Sequence, residues 1–144
     1  MDPRRDAFDE NNVLVFGAGP LVGTNAPTAG RSEVSAKSPL TGLLATSNSG
    51  YFWGPELKYA GYDRLILKGK SEKPVYIYIK DAQVQIMDAS RLWGSDAWDT
   101  IREIKTAHDR KAAVACIGVG GEKLARYASI ENGMYGAWGR TGLG

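Results

Sequence analysis

The feature that most constrains this chain is residues 24–54, TNAPTAGRSEVSAKSPLTGLLATSNSGYFWG. The stretch is rich in glycine, proline, serine and threonine, carries one arginine (Arg31) and an Asn48-Ser49-Gly50 step, and has little hydrophobic period. A connection longer than about 12–15 residues without structure of its own is uncommon in a compact domain and is usually functional or disordered. Disorder fits poorly, because Leu40, Leu43, Leu44, Tyr51, Phe52 and Trp53 bring too much apolar surface. The stretch is therefore expected to be an ordered, glycine-lined surface lying against something large. A second such surface, residues 132–144 (NGMYGAWGRTGLG), closes the sequence. Nothing regular follows GRTGLG, which reads as a cut rather than the end of a fold.

Around these two surfaces the pattern predicts short elements. Residues 1–12 are charged and aperiodic, and read as a tail or the remnant of a preceding element. Residues 12–16 (NVLVF) form a buried strand, residues 32–37 (SEVSAK) alternate weakly as a strand, and residues 55–60 form a short helix stopped by Gly61. Residues 64–68 (RLILK) form another strand. The clearest signal lies in residues 73–88. There Val75, Ile77 and Ile79 alternate with Tyr76, Tyr78 and Lys80, and a second alternating run carries Val84 and Ile86, so a hairpin turning at Asp81-Ala82 with one buried face is expected. Residues 88–93 turn. Ser95 can cap a helix through Trp98, Ile101, Ile104 and Lys105. Residues 111–117 (KAAVACI) read as a buried strand and residues 118–122 as a tight turn, while residues 123–130 suit a helix and a strand equally. Strands outnumber helices and local hairpins are evident. The expected class is α+β, with two mainly antiparallel β-sheets and flanking helices, in one domain over residues 13–144.

Bulk properties exclude several classes. Eighteen basic and sixteen acidic residues, interspersed, leave a charge of +2, and nothing points to nucleic acid or a membrane surface. A single cysteine, Cys116, rules out an internal disulfide framework and fits a reducing, cytoplasmic setting. No apolar run approaches a membrane span, and the polar start is not a signal peptide.

Motifs for chemistry are few. Gly17, Gly19 and Gly23 follow one strand, and Gly118, Gly120 and Gly121 another, but neither set has the spacing and the helix that a dinucleotide-binding turn needs. His108, the one histidine, reads as a solvated helix end. Cys116 reads as a small buried hydrophobe. Asp88, Asp96, Asp99 and Glu103 suit turns and helix starts. No ligand set for zinc or an iron–sulfur cluster is present. What remains is the pair of glycine-rich surfaces, each with an arginine, Arg31 and Arg140. Glycine allows a backbone to approach a ligand closely, and arginine offers a planar donor fork for phosphate or a heterocycle edge. That combination suits a large, polar, phosphorylated cofactor; turns with surface arginines explain the glycines equally well.

The segments GPLVGTNAPTAGR, KSPLTGLLATSNSGYFWGPELKYAGYD, EKPVYIYIKD and GAWGRTGLG resemble, in order and spacing over residues 13–144, the N-terminal cofactor-binding domain of the tungsten-containing aldehyde ferredoxin oxidoreductases. The resemblance implies two β-sheets with flanking helices that form a base for a tungsten bis-molybdopterin cofactor. Arg31 would lie between the pterin and a [4Fe-4S] cluster. Asn48, Gly50, Ala137, Gly139 and Arg140 would contact the pterins, and main-chain oxygens of Asn48 and Ala137 would help hold a magnesium ion joining the pterin phosphates. The cluster cysteines and the catalytic acid and histidine would follow residue 144, and the family's first strands would precede residue 1. The implied activity oxidises aldehydes to carboxylic acids with water and passes electrons through the cluster to ferredoxin, in a protein that forms a homodimer. Where aldehyde-oxidising relatives often read RAAGRGG, this chain reads GAWGRTG. By that likeness Gly136 stands where those relatives offer an arginine to the cofactor, and Trp138 brings in a bulky indole. Three rival readings stay open: a tungsten-dependent relative acting on another carbonyl or an aromatic acyl substrate, a non-catalytic module binding nucleotide or a partner protein, and a truncated product that does not fold.

Overall fold

The computed structural model describes residues 4–144. Four strands, β1 (Leu14–Ala18), β2 (Ser32–Lys37), β3 (Leu44–Ser49) and β4 (Arg64–Leu67), form an antiparallel sheet in the order β3-β2-β1-β4. Its register sets Phe16 opposite Val34 and Leu65, and Val34 opposite Ser47. Side chains alternate across a strand, so these residues share the inner face, and Asn48 lies on the outer one. Strand β2 falls where the sequence predicts it. Strand β1 sits two residues later than expected, because its ladders with β2 and β4 run on through Gly17. The pattern does not anticipate β3. Its inward residues Ala45, Ser47 and Ser49 are small and mostly polar, so they leave no hydrophobic period.

The other elements follow the predicted order, with local differences. Helix α1 (Trp53–Tyr59) begins two residues early, with Pro55 in its first turn where no amide donor is needed. The hairpin of β5 (Val75–Lys80) and β6 (Gln83–Asp88) turns at Asp81-Ala82, both at positive φ (49° and 64°), as a two-residue hairpin turn requires. Its expected buried face is not buried: Val75, Val84 and Ile86 are exposed, because the described residues pack little against it. Helix α2 (Ala97–Ala107) is capped by Asp96 rather than Ser95, Asp96 Oδ1 accepting the Asp99 N–H at 2.8 Å. His108 does cap the end of α2, but it is half-buried. Its Nε2 shares a 2.9 Å hydrogen bond with the Tyr76 hydroxyl, and its ring stacks on Tyr78 at 4.1 Å. The expected strand at residues 111–117 shrinks to β7 (Ala115–Cys116), and a one-turn helix α3 (Val119–Glu122) occupies the expected tight turn. Residues 123–129 are neither helix nor strand. The chain then forms β8 (Ile130–Asn132), β9 (Gly136–Trp138) and a 3-10 turn (Arg140–Gly142).

The class is α+β with antiparallel sheets, as expected, but among the described residues the strands divide into three sheets rather than two. These are the four-stranded sheet, the isolated hairpin, and a third sheet in the order β7-β8-β9. The third sheet closes over the inner face of the first. Phe16, Val34, Ile130 and Trp138 form the buried cluster, with Leu14, Trp53, Leu65, Leu67, Ala115, Ile117 and Leu143 packed around it. Phe16, Trp53 and Trp138 meet pairwise at 5.0–5.4 Å between ring centroids. Two of the three contacts are edge-to-face, the geometry that ring quadrupoles favour. Ahead of β1, Asn12 Nδ2 donates to the carbonyls of Ala7 (2.7 Å) and Lys37 (3.1 Å), so the polar leading segment is tied to the end of β2.

Trp138 is fully buried, and its indole N–H donates to the Ser32 carbonyl at 3.2 Å. Trp138→Ala should therefore cost about 3–5 kcal/mol, read as a lower midpoint in denaturant unfolding of the purified protein. An exposed substitution such as Glu103→Ala should leave that midpoint nearly unchanged.

Candidate functional site

The two glycine-rich surfaces meet along β3 and β9, each an outermost strand of its sheet. An outermost strand carries main-chain donors and acceptors without a ladder partner, so this junction brings two such rows together. Buried polar side chains hold it. The Arg140 N–H donates to Ser47 Oγ at 3.0 Å. Asn132 Nδ2 donates to Ser49 Oγ at 3.0 Å and to the Gly50 carbonyl at 2.7 Å. Farther along, Ser38 Oγ donates to the Thr141 carbonyl at 2.6 Å and accepts the N–H groups of Leu40 and Thr41. These groups fix β9 and the turn after it against β3.

The sequence-predicted residues fall around this junction by different routes. Gly50 directly follows β3, and Asn48 stands on the outer face near the end of that strand. Extending the β2–β3 register by one pair sets Arg31 opposite Gly50. Ala137 pairs with Glu131 in the third sheet, and Gly139 and Arg140 follow β9. Arg140 is tied to β3 by its backbone. The Arg31 and Arg140 side chains are exposed, and among the described residues neither guanidinium has a hydrogen-bond or ion-pair partner. Ser47, Ser49 and Asn132 are missing from the sequence-level reading. Small polar residues at period two carry no hydrophobic signal, and only the tertiary approach of β9 makes them a buried seam.

The glycines of the two surfaces divide by what a Cβ would meet. At Gly133 (φ +63°) it would lie 2.4 Å from Tyr51 Cε1, and at Gly142 (φ +68°) 1.7 Å from the Arg126 carbonyl oxygen. At Gly136 it would lie 3.0 Å from the Asn132 carbonyl oxygen and 3.4 Å from Tyr51 Cβ. These glycines answer to packing within the chain. Gly50 and Gly139 do not. Neither has a positive φ, and nothing lies within 4 Å of where a Cβ would stand. The sequence differences at residues 136–142 also take on a local meaning. The Trp138 indole does not enter the junction; it points into the core. At Gly136 a Cβ would sit tightly beside the Asn132 carbonyl, Ser49 and Tyr51, which would have to give by a few tenths of an ångström.

The remaining candidates are quiet chemically. Burial, and secondarily the Glu131 carboxylate, push the Cys116 thiol up to about 12, and its sulfur lies 3.6 Å from the Ala97 carbonyl. Among the described residues no three His, Cys, Asp or Glu side chains converge on a metal position, and no helix is long and apolar enough to cross a membrane. Asp88 and Asp96 serve a turn and a helix cap. Gly118–Gly121 enters only one turn of helix, and Gly17–Gly23 leads through turns to an antiparallel strand, so neither forms a phosphate-binding βα turn. A cleft of about 480 Å³, lined by none of the predicted site residues, lies beside Arg5, Lys37 and Arg126. Its cations engage their own chain: Lys37 Nζ donates to the Arg5 carbonyl, and Arg126 donates to the Pro39 carbonyl at 3.0 Å.

The family model of the aldehyde ferredoxin oxidoreductase N-terminal domain matches residues 1–144. The tungsten-containing aldehyde ferredoxin oxidoreductase of Pyrococcus furiosus is 49% identical over 145 residues, all of this chain and 24% of the relative. The WOR-like subunit of aliphatic sulfonate oxidoreductase from the same organism is 32% identical over 96% of this chain and 24% of that relative. Among solved structures, a chain of the active site complex BamBC of benzoyl coenzyme A reductase, in complex with 1,5-dienoyl-CoA, superposes with a TM-score of 0.96 at 46% identity. That match covers 99% of this chain and 22% of the other. The chain thus spans about a quarter of the length of these relatives.

Two outcomes follow from the geometry of the junction. Gly50→Ala and Gly139→Ala should shift stability by less than about 1 kcal/mol, whereas Gly133→Ala should destabilise clearly more, compared by denaturant unfolding. With a thiol pushed far above neutral pH, Cys116 should resist a thiol-specific disulfide reagent at pH 8 and react fully once guanidinium unfolds the protein.

Proposed function

The chain belongs to the aldehyde ferredoxin oxidoreductase family, and we propose that it forms the cofactor-binding part of a cytoplasmic tungsten bis-molybdopterin oxidoreductase. The whole enzyme would oxidise aldehydes to carboxylic acids and deliver electrons through a [4Fe-4S] cluster to ferredoxin. The observation that carries this reading is the pair Gly50 and Gly139: both flank the β3–β9 junction, and neither has a positive φ or a neighbour within 4 Å of where a Cβ would stand. A ligand backed closely against the main chain supplies a reason for glycine at both. Two exposed, unpartnered guanidinium groups beside them suit the same ligand, since a planar cation fork matches phosphate and pterin edges.

The chain's residues fit such a group, and their roles follow from their chemistry. Arg31 would stand between the pterin and the cluster, holding negative charge on both and bridging them by hydrogen bonds. Arg140 would clamp a phosphate or a pterin edge. The Asn48 amide would offer a donor and an acceptor from the outer face of β3. The carbonyl oxygens of Asn48 and Ala137, on two outermost strands, would hold a magnesium ion between pterin phosphates. Gly50 and Gly139 would let the main chain approach closely. When bound, the tungsten cofactor supplies the two-electron oxidation of an aldehyde, with water as the oxygen source. This chain contributes position, hydrogen bonds and a field, and the other cofactor ligands belong to the rest of the polypeptide. The complete protein would act as a homodimer.

A second reading has its own support. The 46% identity to a chain of the benzoyl coenzyme A reductase complex favours a tungsten-dependent relative that acts on an aromatic acyl thioester. Both readings use the same cradle and differ in the substrate site.

In the full-length protein, Arg31→Ala and Arg140→Ala should each lower tungsten and pterin content, or slow reduction of ferredoxin, by about tenfold, equivalent to about 1.4 kcal/mol of interaction. Metal analysis, pterin fluorescence and stopped-flow reduction measure this. Normal metal content with normal turnover in both variants would refute the assigned roles. Turnover of a panel of aldehydes against aromatic acyl-CoA thioesters separates the two substrate classes.

A further inference from the structure

We infer that Asn132 is the positioning residue that sets the two glycine surfaces in register with each other. This rests on the cofactor-cradle reading above and adds to it a residue that does not touch the ligand. Asn132 is 1% exposed. Its side-chain NH₂ spends both hydrogens on the first surface, one on Ser49 Oγ at 3.0 Å and one on the Gly50 carbonyl at 2.7 Å. Its backbone belongs to the second surface, because Asn132 pairs with Gly136 at the start of β9, three residues before Gly139. A single residue thus holds the end of β3 with its amide and the β8–β9 turn with its main chain.

The surroundings explain why the group is an amide. The carbonyl of Gly50 is left by β3 at the point where the chain turns through Tyr51 at φ +68°, so it has no ladder donor there. A hydroxyl at position 132 has one hydrogen and reaches one of the two acceptors; an apolar side chain reaches neither. Gly133 leaves room for the Tyr51 ring and Gly136 for its Cβ, so the turn after β3 packs closely against the β8–β9 turn. Asn132 Oδ1 is buried without a hydrogen-bond partner in the chain. Within the chain, then, the side chain acts through its two donors.

The prediction concerns the assembled enzyme. In the full-length holoprotein, Asn132→Leu removes both donors while keeping the branching of the heavy atoms. It should lower tungsten and pterin content about tenfold, within the range typical for groups that orient metal-site ligands. The purified variant should still unfold cooperatively, and hydrogen exchange should quicken at residues 49–52 and 139–141 while β1 and α2 keep wild-type protection. Asn132→Ser, which keeps one donor, should retain an intermediate content. Ser49→Ala, which removes one of the two acceptors and leaves the Gly50 bond in place, should likewise retain an intermediate content. A folded Asn132→Leu or Asn132→Ser protein with full cofactor content overturns the inference, and so does failure of both to fold, which would make the residue one of the fold alone. Arg140→Ala run in parallel separates the two levels. If it loses cofactor and the Asn132 variants do not, only this inference falls; if neither loses cofactor, the reading of the cradle falls first.

Discussion

Burial of one indole organises this structure. Trp138 lies where the third sheet closes over the first, edge-on to Phe16 and Trp53, and its N–H reaches the Ser32 carbonyl at the start of β2. A large aromatic side chain removed from water contributes a few kcal/mol, and its polar edge must find an acceptor once buried. Both demands are met in one position and one orientation. Because Trp138 ends β9, fixing it fixes the backbone on both sides. The strand arrives against β3, and Gly139 and Arg140 emerge at the rim instead of in the core. The relation between the two glycine surfaces is thus a consequence of core packing by their own residues, Ser32 and Trp53 in one and Trp138 in the other, around Phe16.

Between the sheets, the core changes character toward the junction. Phe16, Val34, Ile130 and Trp138 give way to Ser32, Ser47, Ser49 and Asn132, all buried. Small polar side chains let β9 approach β3 more closely than leucines would, and they specify geometry where apolar contact specifies only proximity. Such a seam carries a cost. Ser32 Oγ and Asn132 Oδ1 are buried without a hydrogen-bond partner in the chain, each worth about 1–3 kcal/mol of desolvation. A chain selected for stability alone would fill that seam with methyl groups. One that must hold two loops in a fixed relation uses directional bonds.

Much of the fold is readable along the chain because it is local. The Val75–Ile86 alternation and the two-residue turn at Asp81-Ala82 need no distant partner to be recognised, and β2 and α1 are marked by their own period or punctuation. Elements defined by distant partners are harder. Strand β3 has no period of its own, since its inner residues are small to admit β9. The cap of α2 falls at Asp96 instead of Ser95 because both residues have the chemistry and only the helix's final position selects one. His108 reads as a solvated helix end, yet Tyr76 and Tyr78, some thirty residues earlier, hold it. The arginines and glycines of the candidate site are visible from composition and family likeness. Which glycines are free for a ligand is not, since Gly136 and Gly139 look alike until the neighbour of each missing Cβ is known.

By itself the sequence determined the types of β1, β2, α1, β4 and α2, the hairpin, the family, and the two surfaces that carry the arginines, because each of these is written in residues close together or in long contiguous likeness. The tertiary structure alone decided that Trp138 is core rather than site, that Gly50 and Gly139 face open space while Gly133, Gly136 and Gly142 do not, and that Asn132 joins the two surfaces. The physical reason is the same in each case. Burial and close approach are properties of pairs of atoms far apart in the chain, and those pairs exist only after the third sheet has closed over the first.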